Sequence, residues 1–289
     1  MTSPAGRCTW LVTPGRTPQR FTASRHSGAD VSLLDLEDSV PPVEKDAARA
    51  NVISYLGEDH DAGDRHAAAL GLRMNAPGTV HGLKDLVGLA ESGLWPVVLL
   101  VPKVESSRDV ELVAQIMGAN RKLCQIWALI ETPRAIENLT DILRSPTLAG
   151  VLFGAADYAA AAGCRLSGKA LWHPRALLAM GAAAAGVPAI DSPYFDLRDP
   201  DGLQRESKEA RDVGFLGKVA IHPRQLSTIQ DMFRPSAKDL AAARAVIGAA
   251  EAANGAITTV DGQMVGPPLV ATARAITARA GDIPTPIDS

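Results

Sequence analysis

Short apolar, β-branched runs alternate with longer helix-like stretches along almost the whole of this 289-residue chain. Eight runs read as strands, over residues 9–13, 31–36, 69–74, 97–101, 125–130, 150–153, 187–190 and 219–221. The stretches between them carry helix start and stop signals, as in 43–56 after Pro41-Pro42 and 199–213 before Gly214. Strict alternation implies parallel strands with helical crossovers, in an open doubly wound sheet or a closed barrel. No G-x-G-x-x-G follows the first run, so the main mark of a dinucleotide-binding open sheet is missing. Eight strands then predict an α/β fold, a (β/α)8 TIM barrel, over residues 1–233. The remainder, 234–289, holds an alanine-rich helix (237–253), a strand-like piece (257–265) turning at Asp261-Gly262, and a last helix (269–280). This is more than one barrel helix needs, and it is expected to pack on the barrel and on a neighbouring subunit.

Composition narrows the function classes. Lys plus Arg total 29 against 32 Asp plus Glu, a net charge of −3, so no basic excess points to nucleic acid. The longest uncharged apolar stretch, 176–190, is too short for a membrane span and is interrupted by Gly181, Gly186 and Pro188. Met1–Arg20 lacks the apolar core of a secretory signal. Cys8, Cys124 and Cys164 are odd in number and form no C-x-x-C pair, which fits reduced thiols and a cytoplasmic location.

In a barrel, polar residues at the C-terminal ends of strands lie at the mouth, where chemistry takes place. Seven successive strands end that way: Asp35-Leu36-Glu37-Asp38, Arg73-Met74-Asn75, Lys103-Val104-Glu105, Glu131, Gly154-Ala155-Ala156-Asp157, Asp191 and His222. Any one of these residues could cap a helix or solvate the rim, but the succession points to a site. Glu131 and Asp157 end neighbouring strands, whose axes lie about 4.8 Å apart. Carboxylates that close share a proton, pair with Lys103, or hold a divalent cation, and Mg²⁺ suits one or two carboxylates plus waters. No His/Cys group favours zinc. Arg73 points inward if Leu72 and Met74 pack outward. Its fork suits a substrate carboxylate, or an ion pair with Glu37 or Asp38. The small residues Gly154-Ala155-Ala156 let backbone N–H groups approach an anion at a helix start, or serve packing alone. Other signals fail. Residues 163–169 imitate a P-loop but Ala170 replaces its Ser/Thr; there is no H-E-x-x-H or G-x-S-x-G; and His60, His66 and His81 read as surface residues.

Taken in order, a set of motifs carries a family resemblance. They are Arg7-x-x-x-Leu11-Val12-x-Pro14-Gly15, Gly28-Ala29-Asp30, Asp35-Leu36-Glu37-Asp38-Ser39-Val40-Pro41-Pro42-x-Glu44-Lys45, Arg73-x-Asn75, Pro102-Lys103-Val104-Glu105, Ile130-Glu131-Thr132-Pro133, Phe153-Gly154-Ala155-Ala156-Asp157 and Gly217-Lys218-x-x-Ile221-His222-Pro223. Together they resemble the HpcH/HpaI aldolase / citrate lyase β-subunit family, in its stand-alone branch related to malyl-CoA and citramalyl-CoA lyases. The resemblance implies a Mg²⁺-dependent barrel, with Mn²⁺ as a substitute. Its reaction would make or break a C–C bond between an acyl-CoA enolate and a 2-oxo acid, with a short 3-hydroxyacyl-CoA thioester as substrate. It implies Glu131 and Asp157 as metal ligands and Arg73 as the group that polarises substrate oxygens. Glu37 and Asp38 would position Arg73, and Gly154, Ala155 and Ala156 would hold the substrate carboxylate. Arg7, Arg16 and Lys45 would contact CoA phosphates. A homo-oligomer, trimer or hexamer, with exchanged tails is also implied. One departure stands out: the family's closing M-[IV]-D-x-P, whose Asp is the general acid/base, reads Met264-Val265-Gly266-Pro267-Pro268 here. Asp261, five residues upstream, reaches that place only if the tail shifts. Three readings follow: a lyase, a thioesterase or aldolase on another electrophile, and a non-catalytic CoA-thioester-binding subunit.

Overall fold

Eight parallel strands pair in sequence order and close into a barrel, with β1 bonded to both β2 and β8. They are β1 (Thr9–Pro14), β2 (Val31–Asp35), β3 (Ala69–Arg73), β4 (Val98–Val101), β5 (Gln125–Ile130), β6 (Leu148–Phe153), β7 (Ala189–Asp191) and β8 (Gly217–Ala220). This computed structural model describes residues 7–58, 67–118 and 124–281. His60 and His66 lie outside the described residues, and His81 is half-buried. The helices are α1 (Phe21–Arg25), α2 (Lys45–Leu56), α3 (Val80–Ser92), α4 (Ser107–Met117), α5 (Pro133–Glu137), α6 (Leu139–Leu143), α7 (Ala155–Ala162), α8 (Gly168–Ala185), α9 (Pro200–Val213), α10 (Leu226–Phe233), α11 (Ala237–Ala252) and α12 (Pro267–Gly281). The expected α/β barrel is therefore the observed fold. No helix among the described residues is long and apolar enough to cross a membrane.

Period-two alternation sorts each strand into two layers. Leu34, Leu72, Leu99 and Val151 face outward under the helices, while Leu33, Leu100, Leu129 and Leu152 face the barrel axis. The axis is filled by two fully buried tryptophans, Trp10 and Trp127, stacked edge-to-face with centroids 4.6 Å apart. Each contributes on the order of several kcal/mol of apolar burial. Gly150 makes room for them, because a Cβ there would fall 2.5 Å from the Trp127 ring. The β5–β6 register shifts at the same level, between Ile126 and Trp127.

A buried ionic network ties β7 to β8. Asp191 accepts from Arg175 of α8 (3.1 and 2.8 Å) and from Lys218 of β8 (2.6 Å), and Lys218 also bonds Glu206 of α9 at 2.6 Å. Burial alone would raise the Asp191 carboxyl, but the two cations hold it below its ordinary range. The acid that ends strand seven is thus spent on structure. It does not line the mouth.

Beyond the barrel, α11 opens on a capping box of Ser236 and Asp239. A short antiparallel hairpin follows, β9 (Thr258–Val260) with β10 (Gln263–Val265). It turns at Asp261 (φ 52°) and Gly262 (φ 79°), the left-handed pair that a tight hairpin demands. The principal packing of α11 is against α12, and among the described residues of this extension Ala243, Val265 and Ala273 are the buried ones.

Candidate active site

The mouth is assembled from the C-terminal ends of β2 through β6. With Leu72 in the outer layer, alternation turns Arg73 inward, as the sequence parity predicted. Its guanidinium forks onto Asp35, Nε to Oδ1 at 2.6 Å and Nη2 to Oδ2 at 2.7 Å. Nη1 donates to Asp38 Oδ2 at 3.1 Å. It also lies 3.0 Å from Glu37 Oε2, but off the hydrogen-bonding direction, so that contact is ionic only. The ion pair with the strand-two acids is formed, and it leaves Arg73 lining the cavity.

Sequence reasoning places Asp35 at the mouth but assigns it no role there. It is fully buried and also accepts the backbone N–H of Glu37 (2.9 Å) and of Ser39 (3.1 Å), so it fixes both the arginine and the loop after β2. Burial would raise its carboxyl, but Arg73 and these donors outweigh burial and hold it below the carboxylate range. A signal was available: Leu33 faces the axis, so period-two alternation sends Asp35 the same way. Glu37 lacks such support. Burial pushes it up to about 9, opposed by Arg73 and reinforced by repulsion from Glu131 and Asp38.

Glu131 and Asp157 both line the mouth, one immediately after β5 and the other on the first turn of α7. Lys103 joins them: its Nζ lies 2.7 Å from Asp157 Oδ1 and 3.4 Å from Glu131 Oε1, and its backbone N–H donates to Glu131 Oε1 at 2.9 Å. Lys103 holds a left-handed backbone, φ 55°, uncommon for a residue with a side chain. Burial lifts Glu131 to about 7, against the pull of Lys103 and with the push of Asp157. A buried acid held that high gains from any additional cation. Gly154 is required here, because a Cβ would lie 2.4 Å from Glu131 Cβ and 2.7 Å from Oε2. Among the described residues no group of three or more His, Cys, Asp and Glu could enclose a metal. Two carboxylates are what the protein offers, a donor set that fits a hard cation completing its shell with water and substrate oxygens.

Gly154 also caps α7 without a side chain, leaving the first N–H groups of the helix, at Ala155 and Ala156, on the cavity wall. The cavity measures about 420 Å³. Toward β7, β8 and β1 its wall is apolar. His222 does not join it: Ile221 faces the cavity, and His222 turns outward, its Nδ1 accepting from Arg224 N at 3.1 Å.

Two of the three basic residues expected at CoA phosphates are placed elsewhere. Arg7 precedes β1 at the opposite end of the barrel, buried and donating to Gln125 at the start of β5. Lys45 is also buried, its Nζ held by Leu36 O, Glu37 O and Asn75 Oδ1 at 2.6–2.7 Å, so it supports the loop of Glu37 instead of reaching solvent. Arg16 alone stands half-exposed beyond the end of β1, 3.7 Å from Glu44.

The structure is thus a closed parallel α/β barrel with an acid-rich mouth, an arginine held by carboxylates and a helix start without a side-chain cap. The chain belongs to the HpcH/HpaI aldolase/citrate lyase family, whose sequence profile matches residues 9–223; a profile for C–C bond lyases of the TIM-barrel fold matches 181–281. A citrate lyase subunit beta-like protein of Mycobacterium tuberculosis is 34% identical over 281 residues, covering 94% of this chain and 95% of that one. A (3S)-malyl-CoA thioesterase of Cereibacter sphaeroides is 33% identical, covering 93% of each chain. An L-malyl-CoA/beta-methylmalyl-CoA lyase of the same species is 31% identical, covering 84% of each. Among solved structures, CitE of M. tuberculosis in complex with magnesium, acetoacetate and coenzyme A superposes with a TM-score of 0.79 at 32% identity, covering 95% of this chain and 98% of that one.

Proposed function

We propose that this chain is a Mg²⁺-dependent carbon–carbon lyase acting on a short 3-hydroxyacyl-CoA of the malyl or citramalyl type. The observation that carries the reading is the convergence of Arg73, Glu131, Asp157 and the α7 start on one cavity. Glu131 and Asp157 would hold the ion, Mg²⁺ or Mn²⁺, with Lys103 swinging aside on its flexible stem. The ion, when bound, supplies positive charge to substrate oxygens.

In cleavage the 3-hydroxyl proton passes to a solvent water, the C2–C3 bond breaks, and its electron pair passes into the thioester enolate, which takes a proton back from solvent at C2, while C3 becomes the carbonyl of a 2-oxo acid. Arg73 faces the oxygens on which charge develops, and Asp35 keeps it oriented through the reaction. Preorganised charge of this kind is commonly worth several kcal/mol of barrel-mouth catalysis. The N–H groups at Ala155 and Ala156 receive the carboxylate that flanks the hydroxyl. Arg16 is the remaining side chain suited to CoA phosphates. Residues 1–233 form the catalytic barrel in this reading. The extension from 234, which buries little of itself, docks on a neighbouring copy in a homotrimer or homohexamer. The three free thiols suit the cytoplasm.

A second reading, thioester hydrolysis, is favoured by Gly266, which cannot carry the proton that the family's aspartate moves, and by the thioesterase among the relatives. Mass spectrometry of products from malyl- and citramalyl-CoA, with Mg²⁺ and with Glu131→Gln as control, separates the two. Acetyl-CoA plus a 2-oxo acid supports the lyase, whereas free CoA plus an intact hydroxy acid supports the thioesterase. Full activity of Glu131→Gln would refute the metal site under either.

A further inference from the structure

The charged half of the mouth is already crowded with acid. Five carboxylic groups, Asp35, Glu37, Asp38, Glu131 and Asp157, face two cationic side chains, and both cations are engaged by them. Counted as fully ionised, these groups together with a divalent ion carry a net charge of −1 before any substrate enters, so even one substrate carboxylate adds to an excess of negative charge. Nothing there is left to pair with a second.

The other half offers no partner either. The arc formed by β7, β8 and β1 presents Pro193, Phe195, Val219, Ile221 and Val12 to the cavity. Phe195 stands at the rim with 46% of its surface uncovered, an unusual exposure for an aromatic ring that lines a cavity. The polar groups of its loop point the wrong way in charge or in space. Asp196 and Asp199 are acids, the Tyr194 hydroxyl is committed to Asp199, and Arg198 is 94% exposed on its side chain and does not line this cavity.

We infer that Phe195, with Pro193 and Ile221, is the specificity wall of this site, and that it selects substrates whose reacting 2-oxo-acid part carries an uncharged alkyl substituent over those carrying a second carboxylate. The inference rests on the lyase reading for the place of the oxo acid. Its physical basis is that a carboxylate set against this wall loses its water and gains no donor, whereas an alkyl group gains by leaving water.

The test uses 2-oxobutyrate and oxaloacetate, which differ by a methyl in place of a carboxylate. Calorimetric titration of each into the full-length Mg²⁺-loaded protein should give at least tenfold tighter binding of 2-oxobutyrate. Phe195→Arg, on an exposed rim position, should shrink that ratio at least tenfold, and Phe195→Leu should preserve it. Equal or tighter binding of oxaloacetate by the wild type would overturn the wall, as would an unchanged ratio in Phe195→Arg. Binding of neither acid overturns the wall together with the oxo-acid site. Alkyl preference in binding without any C–C cleavage would sink the lyase reading and leave the wall standing; cleavage without preference would do the reverse.

Discussion

Replacing Asp35 by asparagine removes one charge and scarcely any volume, yet it should be among the most costly single changes in the barrel. Four donors converge on the two oxygens of Asp35: Arg73 Nε and Glu37 N on Oδ1, Arg73 Nη2 and Ser39 N on Oδ2. An amide presents one oxygen and one NH₂. Whichever way it is turned, one guanidinium N–H and one backbone N–H then face a donor instead of an acceptor. Breaking a buried ion pair by removing one partner costs about 3–5 kcal/mol. Arg73 keeps Glu37 and Asp38, which places the expected loss near the lower end, about 3 kcal/mol. Urea unfolding at pH 7 measures it as a lower midpoint at constant slope. The pair Asp35→Leu with Arg73→Met provides a cycle, in which the double variant should be clearly less destabilised than the two single losses added together. A loss under about 1 kcal/mol in Asp35→Asn, or strict additivity in the cycle, would refute the claim that Asp35 holds the arginine.

Further outcomes follow from the same geometry. Glu131 and Glu37 are raised to about 7 and about 9 from an ordinary 4.5, so above pH 4.5 the folded protein retains protons that the unfolded chain has released. Metal-free protein should therefore melt at a higher temperature at pH 5.5 than at pH 8, and Mg²⁺ should restore stability at pH 8; a metal-free Tm that climbs steadily over that range would contradict these shifts. The depressed acids Asp35 and Asp191 act oppositely. Their contribution is present above an ordinary 3.8 and fades as the pH falls through their lower folded values. Gly154→Ala should weaken Mg²⁺ binding at least tenfold and cost about 1–3 kcal/mol of stability, because its methyl enters the space of Glu131; calorimetry and unfolding report the two separately. Gly266→Asp should fold normally, since a Cβ there meets only Pro268 Cδ at 4.0 Å. If proton transfer limits a lyase, the same change should raise malyl-CoA cleavage at least tenfold, and an unchanged rate would show that the proton travels by another route.

Strand count, order and inward parity were legible in the chain because a barrel strand buried on both faces must be short, apolar and bounded by turns. Arg73, Glu131 and Asp157 followed from parity and from their place at strand ends. Asp35 obeyed the same parity and was masked by its neighbours Glu37 and Asp38, which carry the same charge. The pairing of Lys103 with Glu131 and Asp157 was among the readings the sequence allowed, and it is formed; only its left-handed backbone lies outside what strand periodicity encodes. Arg7 and Lys45 were expected at CoA phosphates only through the resemblance, and both are buried in this structure. Their burial, beside Gln125 in one case and against the loop carbonyls in the other, depends on contacts that a local reading of the sequence does not show.

The stacked pair Trp10 and Trp127 closes the barrel beneath the mouth. On the lyase reading, and among the described residues, the mouth is then the doorway for reactants, and products retreat along the path by which substrates arrive. A small fragment released inside cannot slip out through the far end while a larger one still blocks the entrance. For an enzyme that splits one molecule in two, such a vestibule imposes an order of departure, and accumulated small product should obstruct the next arrival.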